Sequence, residues 1–242
     1  KNNLKAVVAE MPNRTFNKAG ESAVAAEPII PLDPNWPKMT LGQAQALMTA
    51  PGQKFEMDEV EIRGVSTRVW KNAPPSLAWL IQASRMHGDR IFTIHEDERV
   101  SFDANFRAVA RLATQLREMG VGKGDRVALA MRNLPEWPVV FFAAVSIGAI
   151  LVPLNAGWTS GELDYGLRDS GSVVLFTDGE RYDRLADALP GLPDLKHIVV
   201  SRARGPLGEG VRQLEDLIGK PNDWAELPDA PLPAEPSLVP DD

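Results

Sequence analysis

Arg126-Val127-Ala128-Leu129-Ala130-Met131 is the first of four short, largely apolar runs that decide the fold of this chain. The other three occupy residues 150–154, 173–176 and 197–200. Short apolar runs of this kind are typical of strands whose two faces are both covered. Helical patterns separate the runs, so consecutive strands need crossover connections and lie parallel. The sequence therefore predicts an α/β fold: a doubly wound, mostly parallel sheet with helices on both faces.

The predicted helices have recognisable beginnings. Pro135 suits the first turn of the helix that precedes the second strand, and Thr159 with Glu162 forms a capping box before the next helix. A further helix is predicted at residues 180–189. Apolar residues recur every three or four positions over residues 102–119, which predicts a longer helix ahead of the first strand.

Shorter elements are predicted on either side of this region. Residues 91–102 contain two apolar runs around a charged turn, which indicates a hairpin, and the loose alternation over residues 55–70 indicates short strands. Ser76 is a suitable N-cap for a helix, and a second helix follows Met39. We expect the inner face of the Ser76 helix to be formed by Leu77, Leu80, Ile81 and Ser84. Val211, Leu214, Leu217 and Ile218 indicate a short amphipathic helix.

Composition divides the chain into three parts. Residues 1–38 carry closely spaced prolines that oppose helices and central strands, so an extended N-terminal extension is predicted. Residues 39–220 form the predicted α/β domain. Residues 221–242 contain six prolines and no lysine or arginine, which indicates an acidic linker or a docked loop. This acidic, proline-rich segment at the end of the sequence predicts that the chain is the front part of a larger protein.

Charge and residue usage exclude several classes of function. The 242 residues carry a net charge of −7 without a basic cluster, so a nucleic-acid partner is not expected. There is no cysteine, and the three histidines lie far apart, so neither a thiol nucleophile nor a metal site is predicted. Residues 137–154 are uncharged, but prolines and a glycine divide them into helix and strand rather than a transmembrane segment. A reducing cytoplasmic location is compatible with this composition.

Strand direction sorts the loops into candidate and non-candidate sites. Ligands of open parallel sheets bind at the carboxyl ends of the strands, so the glycine-rich residues 120–125, which run from a helix into a strand, are predicted to be a structural turn. The candidate loops are 131–135, 153–161 and 177–184, which should lie side by side. No Ser-His-Asp arrangement or nucleophile elbow is present, so no catalytic residue is predicted.

Two small groups within the candidate loops could bind a ligand. Asn155-Ala156-Gly157-Trp158 offers an approachable backbone and an indole that could stack on a base, although Trp158 could equally pack against the start of its helix. Arg181 and Arg184 lie three residues apart on one helical face and could bind a phosphate. They could equally pair with neighbouring aspartates.

Three stretches in order resemble the N-terminal portion of the adenylate-forming, AMP-binding acyl-CoA synthetases, which include fatty-acid CoA ligases and adenylation domains. They are Val100-Ser101-Phe102 leading into residues 107–120, then residues 121–128 with Asn133 and Glu136, then residues 146–155. The resemblance covers about residues 74–242. It implies that the complete enzyme activates a small-molecule carboxylate, a fatty or aryl acid, with ATP and Mg²⁺ and transfers the acyl group to coenzyme A.

The resemblance also implies where this chain stands in such an enzyme. The ATP and Mg²⁺ sites, the phosphate-binding loop and the mobile C-terminal domain would belong to the missing C-terminal part, so residues 1–242 alone should be inactive. In acetyl-CoA-type relatives the positions matching Ala156, Gly157, Trp158, Arg181 and Arg184 approach the nucleotide end of coenzyme A. The alternatives are a stand-alone nucleotide- or coenzyme A-binding or interaction module of flavodoxin-like build, and part of an adenylation domain that loads a carrier protein.

Overall fold

A computed structural model describes residues 39–239 of the protein. The chain divides into two units at Met48 and Thr49, and helix α1 (Leu41–Thr49) is therefore described by itself. Its first turn is closed by a reciprocal pair of hydrogen bonds, because the Gln43 amide donates to the Thr40 hydroxyl and the Thr40 amide donates to the Gln43 side chain. This confirms the predicted helix after Met39. The predicted extension at residues 1–38 lies outside the described residues.

The second unit begins with two antiparallel hairpins, where the sequence predicted short strands for the first and a hairpin for the second. Strands β1 (Met57–Ile62) and β2 (Val65–Trp70) pair along their full length. Strands β3 (Ile91–His95) and β4 (Glu98–Ser101) form the second hairpin around Glu96, which adopts a positive φ of 51° in the turn.

Helices α2 (Leu77–Ser84) and α3 (Phe102–Glu118) flank the second hairpin in sequence, and each begins at a serine whose side chain accepts an amide hydrogen bond. The predicted inner face of α2 was wrong in part. Leu77 and Leu80 are 44% and 42% exposed, whereas Ala78 and Ile81 are buried. The reason is that α2 packs against α3 and a later helix through the Ala78–Ile81 ridge, which leaves the two leucines on the outer side.

The central sheet has five strands, all parallel, which confirms the predicted fold class. In chain order they are β5 (Arg126–Ala130), β6 (Ile150–Pro153), β7 (Val174–Asp178), β8 (His197–Ser201) and β9 (Arg212–Gln213). Their spatial order is β6-β5-β7-β8-β9, which is the order of flavodoxin-like sheets. Strand β6 therefore lies on one side of β5, and strands β7 to β9 lie on the other. The direction in which successive strands are added to the sheet reverses between β5 and β7.

The connections between the strands are helical. They are α4 (Glu136–Ser146), α5 (Ser160–Ser170) and α6 (Gly179–Leu185), followed after β9 by α7 (Leu214–Ile218). Helix α6 ends four residues earlier than predicted, and a separate 3₁₀ turn follows at Leu189–Gly191. Pro190 in that turn has no amide hydrogen to continue an α-helix. Strand β9 was not predicted, because its two residues are both polar and carry no strand pattern.

Successive side chains along the strands point to opposite faces of the sheet and contribute to two separate hydrophobic cores. Val127 and Leu129 face the side covered by α3, α4 and α7. Ala128 and Ala130 face the opposite side, which α5 and α6 cover with Leu163, Leu167 and Leu185. Both faces of the central strands β5 and β7 are therefore covered, which explains why these strands are apolar runs without polar alternation.

Residues 221–235 dock against the first of these cores. A 3₁₀ helix (Pro221–Glu226) buries Trp224 completely, and the Trp224 indole donates to the carbonyl of Gly219 at 3.1 Å. Leu232 is also buried. Of the two forms that the sequence left open, this part of the segment adopts the docked loop. Its continuation toward a further part of a protein stays a prediction.

No helix within residues 39–239 is long and apolar enough to cross a membrane.

Candidate ligand site at the carboxyl edge of the sheet

The connections after the four longer strands, β5 to β8, leave the carboxyl edge of the sheet, where ligands of open α/β folds bind. They are residues 131–135 after β5, 154–159 after β6, the direct passage from β7 into α6, and residues 202–211 after β8. The structure brings the three predicted loops side by side and adds the fourth, which sequence reasoning did not include.

Asp178 holds two of these connections together. Its carboxylate accepts the Arg132 amide at 2.9 Å and the Arg181 amide at 3.0 Å, so it links the loop after β5 to the start of α6. The residue is only 5% exposed. One terminal nitrogen of the Arg181 guanidinium also lies 3.1 Å from each oxygen of the Asp178 carboxylate. The pairing of arginine with aspartate was one of the sequence alternatives, but the pair is buried rather than solvated.

Both predicted arginines contact the loop after β6. Arg181 Nε donates to the carbonyl of Ala156 at 2.7 Å, and a terminal nitrogen of Arg184 donates to the carbonyl of Trp158 at 3.0 Å. Arg181 is 3% exposed, whereas the Arg184 side chain is 34% exposed. The structure thus gathers Ala156, Trp158, Arg181 and Arg184 into one cluster, in which the guanidinium groups bind the loop itself.

Glu180 completes this cluster. Its carboxylate forms ion pairs with Arg181 at 3.2 Å and with Arg184. Electrostatic attraction to Arg181 lowers the pKa of Glu180, with the hydrogen bond from Arg184 acting in the same direction. The carboxylate therefore stays ionised and fixes the side-chain position of the more exposed arginine.

The loop after β6 is shaped by its own residues. The Asn155 side chain accepts the Gly157 amide at 2.8 Å, which closes a local turn. The Trp158 indole packs beside Gly166 of α5, where a β-carbon would lie 3.1 Å from the ring. The position of Trp158 is therefore explained by packing, and a contact of Gly157 or Trp158 with a ligand stays a prediction.

The connection after β8 approaches α6 closely. A β-carbon on Gly179 would lie 2.5 Å from the carbonyl oxygen of Arg202 and 3.1 Å from the amide of Arg204. Only glycine fits at this position without moving the backbone. The Asp178-Gly179 pair is thus bounded by the β5 connection on one side and by the β8 connection on the other.

Arg202 anchors the β8 connection to the first core. Its guanidinium pairs with Glu136 at 2.9 Å and with Glu98 at 2.7 Å, and its amide donates to Glu215 at 2.7 Å. Burial lowers the pKa of Arg202, but hydrogen bonds to Glu136 and Glu98 outweigh it, so the pKa is raised. The arginine remains charged between its two carboxylates.

Sequence reasoning missed Asp178 as a central residue and the whole connection after β8. The signal for Asp178 was present, because an aspartate at the end of a strand and directly before a helix is a typical N-cap. The β8 connection carries two arginines in Arg202-Ala203-Arg204, but it leads into a strand that the sequence did not reveal.

The glycine-rich turn at residues 120–125 lies at the opposite edge, as predicted. Within residues 39–239 no group of three or more histidine, aspartate or glutamate side chains is arranged to hold a metal ion.

Comparison with known proteins agrees with this fold. Residues 80–242 match the model of the family described as AMP-binding enzyme, so the chain belongs to that family. Among solved structures, the anthranilate CoA ligase AuaEII in complex with anthranoyl-AMP has a TM-score of 0.58 and 25% identity, over 67% of this chain and 30% of that one. A putative long-chain-fatty-acid CoA ligase from Rhodopseudomonas palustris has a TM-score of 0.53 and 27% identity, over 59% of this chain and 36% of that one.

Two curated relatives illustrate the range of the family. A medium/long-chain-fatty-acid–CoA/3-oxocholest-4-en-26-oate–CoA ligase from Mycobacterium marinum is 37% identical over 112 residues, which is 46% of this chain and 20% of the relative. A feruloyl-CoA synthase from Amycolatopsis is 36% identical over 114 residues, which is 47% of this chain and 23% of the relative. The matched part of the chain thus spans about a fifth of the length of these relatives.

Proposed function

We propose that this chain is the N-terminal part of an ATP-dependent, AMP-forming ligase that joins a fatty or aryl carboxylic acid to coenzyme A. The observation that carries the proposal is the family match over residues 80–242, together with relatives that are named as CoA ligases for fatty and aromatic acids. ATP and Mg²⁺ would bind outside residues 1–242.

The chemistry of the carboxyl edge supports a role in binding rather than catalysis. Residues 131–135, 154–159 and 202–211 contain asparagines, arginines and glycines but no histidine, cysteine or serine. Such loops can bind an anionic or planar group, but they offer no group of the kinds that usually act as nucleophile and base together. Because the substrate carboxylate itself attacks ATP in this reaction, what the step needs from the protein is the ATP and Mg²⁺ site, which we place outside residues 1–242; we therefore propose that the isolated chain does not form an acyl-adenylate.

This part of the proposal is tested by ATP–pyrophosphate exchange with purified residues 1–242. We expect no exchange above background with medium-chain, long-chain or aromatic carboxylates. Exchange that depends on both the carboxylate and the chain would contradict the assignment of the ATP site to a further part of the protein.

We also propose that the nucleotide end of coenzyme A contacts Gly157, Trp158 and Arg184. In this arrangement the buried Arg181 holds the carbonyl of Ala156 and so shapes the loop. The partly exposed Arg184 supplies the positive charge that a phosphate of coenzyme A needs.

Isothermal titration with coenzyme A tests this contact, and the chain offers a matched control. Arg184 and Arg168 each pair with a carboxylate four residues earlier and each donate to a backbone carbonyl. Arg184→Ala should weaken coenzyme A binding at least tenfold, while Arg168→Ala should leave it unchanged. Equal effects of the two substitutions would mean that coenzyme A does not bind at Arg184.

A second candidate, a stand-alone binding module, is favoured by the flavodoxin-like strand order. The same titrations distinguish it. A module that binds nucleotides should take up ATP by itself, whereas the ligase proposal places the ATP site elsewhere and expects no heat of binding from ATP.

A further inference from the structure

Helix α4 carries apolar side chains on every side. After Glu136, its residues 137–146 include no charged residue. One side, which includes Val139 and Ala143, is buried in the first core. The opposite side is half-exposed and equally apolar; it is formed by Trp137, Pro138, Phe141, Phe142 and Val145. A helix that is apolar all round is normally covered all round, and residues 39–239 cover only one side of this one.

Helix α2 and strand β3 extend this exposed side. Helix α2 packs beside α4, and its residues 77–84 also include no charged residue. Seven large apolar side chains of α2, of the 3₁₀ turn that follows it and of β3 are each at least 36% exposed. They are Leu77, Trp79, Leu80, Met86, Ile91, Phe92 and Ile94. Isolated apolar residues are common on protein surfaces, but contiguous apolar patches mark interaction sites.

Contacts between these side chains show that they form one surface. Trp79 of α2 and Phe142 of α4 line the same hollow of about 420 Å³. Phe142 packs edge-on against Phe141 with the ring centroids 5.1 Å apart, and Phe141 stacks on Trp137 at 5.6 Å. Trp137 and Ile94 of β3 line a second hollow of about 370 Å³. We call this surface, formed by the twelve side chains named above from α2, the 3₁₀ turn, β3 and the outer side of α4, the apolar face.

A buried polar atom also lacks a partner at the apolar face. Thr93 lines the second hollow, and its hydroxyl oxygen is shielded from solvent but has no hydrogen-bond partner within the described residues. A buried hydroxyl group without a partner costs free energy. A group that packs onto this face and reaches Thr93 would remove that cost.

The composition of the apolar face indicates what kind of partner covers it. Helices α2 and α4 present no charged side chain over residues 77–84 and 137–146, so they offer no ion pair to a nucleic acid or a charged peptide. Interfaces between parts that stay together permanently are apolar and resemble a hydrophobic core cut in half, whereas transient interfaces are more polar. The face is therefore suited to a permanent neighbour.

We propose that the apolar face packs against the further part of the ligase, which would present an uncharged apolar layer with a hydrogen-bonding group opposite Thr93. This inference rests on the proposed function. The matched part of the chain spans about a fifth of the length of the relatives, so such a protein has ample chain to cover the face. The face includes none of the residues proposed to contact coenzyme A.

Hydroxyl-radical oxidation read by mass spectrometry tests the proposal, because it reports the exposure of individual tryptophan and methionine side chains. Residues 1–242 alone are compared with the complete protein that continues past Asp242. We expect Trp79 and Met86 to be oxidised at least tenfold more slowly in the complete protein. Trp70 and Met48, which are 58% and 52% exposed and lie outside the apolar face, should be oxidised at the same rate in both.

A charged substitution gives a second measurement with a matched control. Ile94 on β3 and Val65 on β2 are 65% and 63% exposed, so glutamate at either position should leave thermal unfolding of residues 1–242 unchanged. In the complete protein Ile94→Glu would place a charge in an apolar interface. It should lower the unfolding temperature there, while Val65→Glu should not.

The proposal is overturned if Trp79 and Met86 are as reactive in the complete protein as in residues 1–242, or if Trp70 and Met48 are protected equally. It is also overturned if residues 1–242 alone form a dimer by light scattering that protects Trp79 and Met86, because the neighbour would then be a second copy. Acyl-CoA formation by the complete protein tests the proposed function separately. An active ligase with an unprotected apolar face would overturn this inference alone, and a native protein that ends at Asp242 would overturn both.

Discussion

The two edges of the central sheet use charged residues and glycines in opposite ways. At the amino edge the glycines of residues 120–125 and Gly148 close turns: the Gly124 amide donates to the Gly148 carbonyl at 2.9 Å, and Asp125 accepts the Gly122 amide at 2.9 Å. Gly148 has a φ of +82°, and a β-carbon there would lie 3.0 Å from the side chain of Lys123. The glycines of this edge therefore serve backbone geometry.

The carboxyl edge contains instead a buried ion pair between Asp178 and Arg181. Asp178 and Arg181 link three connections, because Asp178 accepts the Arg132 amide and Arg181 donates to the Ala156 carbonyl. The glycine-rich stretch, which looks more like a phosphate-binding loop, lies at the other edge. Strand direction, and not the density of glycine, therefore identifies the candidate ligand edge.

The largest effect should follow from breaking the buried pair. Arg181→Ala leaves the Asp178 carboxylate buried without its charge partner and removes the bond to the Ala156 carbonyl. Loss of one partner of a buried pair costs about 3–5 kcal/mol, so urea unfolding should show a decrease of that order in the free energy of unfolding.

Arg168→Ala is the control for this prediction, because its ion pair with Asp164 is exposed and such pairs are worth about 0–1 kcal/mol. Replacing Asp178 by alanine together with Arg181 removes the unpaired charge, so the double variant should lose less stability than the sum of the single variants. An Arg181→Ala variant no less stable than Arg168→Ala would show that the pair does not organise this edge.

The sequence was sufficient for the repeating part of the fold. Four of the five parallel strands and their helices were predicted, because each strand is an apolar run and each helix has a capping residue or a glycine at its end. The two-residue strand β9 was not, since its place in the sheet depends on pairing with β8 and not on local pattern. The predicted inner face of α2 was wrong because the orientation of a helix is decided by its neighbours.

The candidate site was predictable only in part. The loops followed from strand direction, but no local pattern distinguishes Arg181, which is buried, from Arg184 three residues later. The sequence shows both arginines, but it does not show the ion pair with Asp178 that buries Arg181.

A smaller effect should come from the close contact between Gly179 and the connection after β8. In Gly179→Ala the β-carbon would meet the Arg202 carbonyl oxygen at 2.5 Å, so the two connections must move apart. Overpacking of this kind costs about 1–3 kcal/mol. Thermal or urea unfolding should detect this loss of stability.

Gly161→Ala is the matched control, because Gly161 also lies at the start of a helix but a β-carbon there would meet nothing within 4 Å. That substitution should stabilise the chain by about 0.4–1 kcal/mol, through the lower entropy of the unfolded state. If Gly179→Ala proves as well tolerated as Gly161→Ala, the connection after β8 does not lie against α6.

The smallest expected effect concerns pH and compares one carboxylate from each edge. Attraction to Arg181 is the main cause that lowers the pKa of Glu180, whereas hydrogen bonds from Ser237 are the main cause that lowers the pKa of Glu235 near the amino edge. A carboxylate whose pKa is lower in the folded state stabilises the fold above its ordinary pKa. Both contributions should therefore be present above pH 4.5 and be lost as the pH falls through the lowered pKa.

Salt should separate the two contributions. Unfolding curves at successive pH values, for wild type, Glu180→Gln and Glu235→Gln, give each contribution as the difference from wild type. In 1 M salt the Debye length falls to about 3 Å, and the Glu180 carboxylate is 39% exposed, so ions can approach it and partly screen its attraction to the buried Arg181 guanidinium, whereas the direct hydrogen bonds to Glu235 are affected less. The Glu180 difference should then shrink while the Glu235 difference persists. Equal losses at both residues would mean that attraction between charges stabilises the carboxyl edge no more than it stabilises the amino edge.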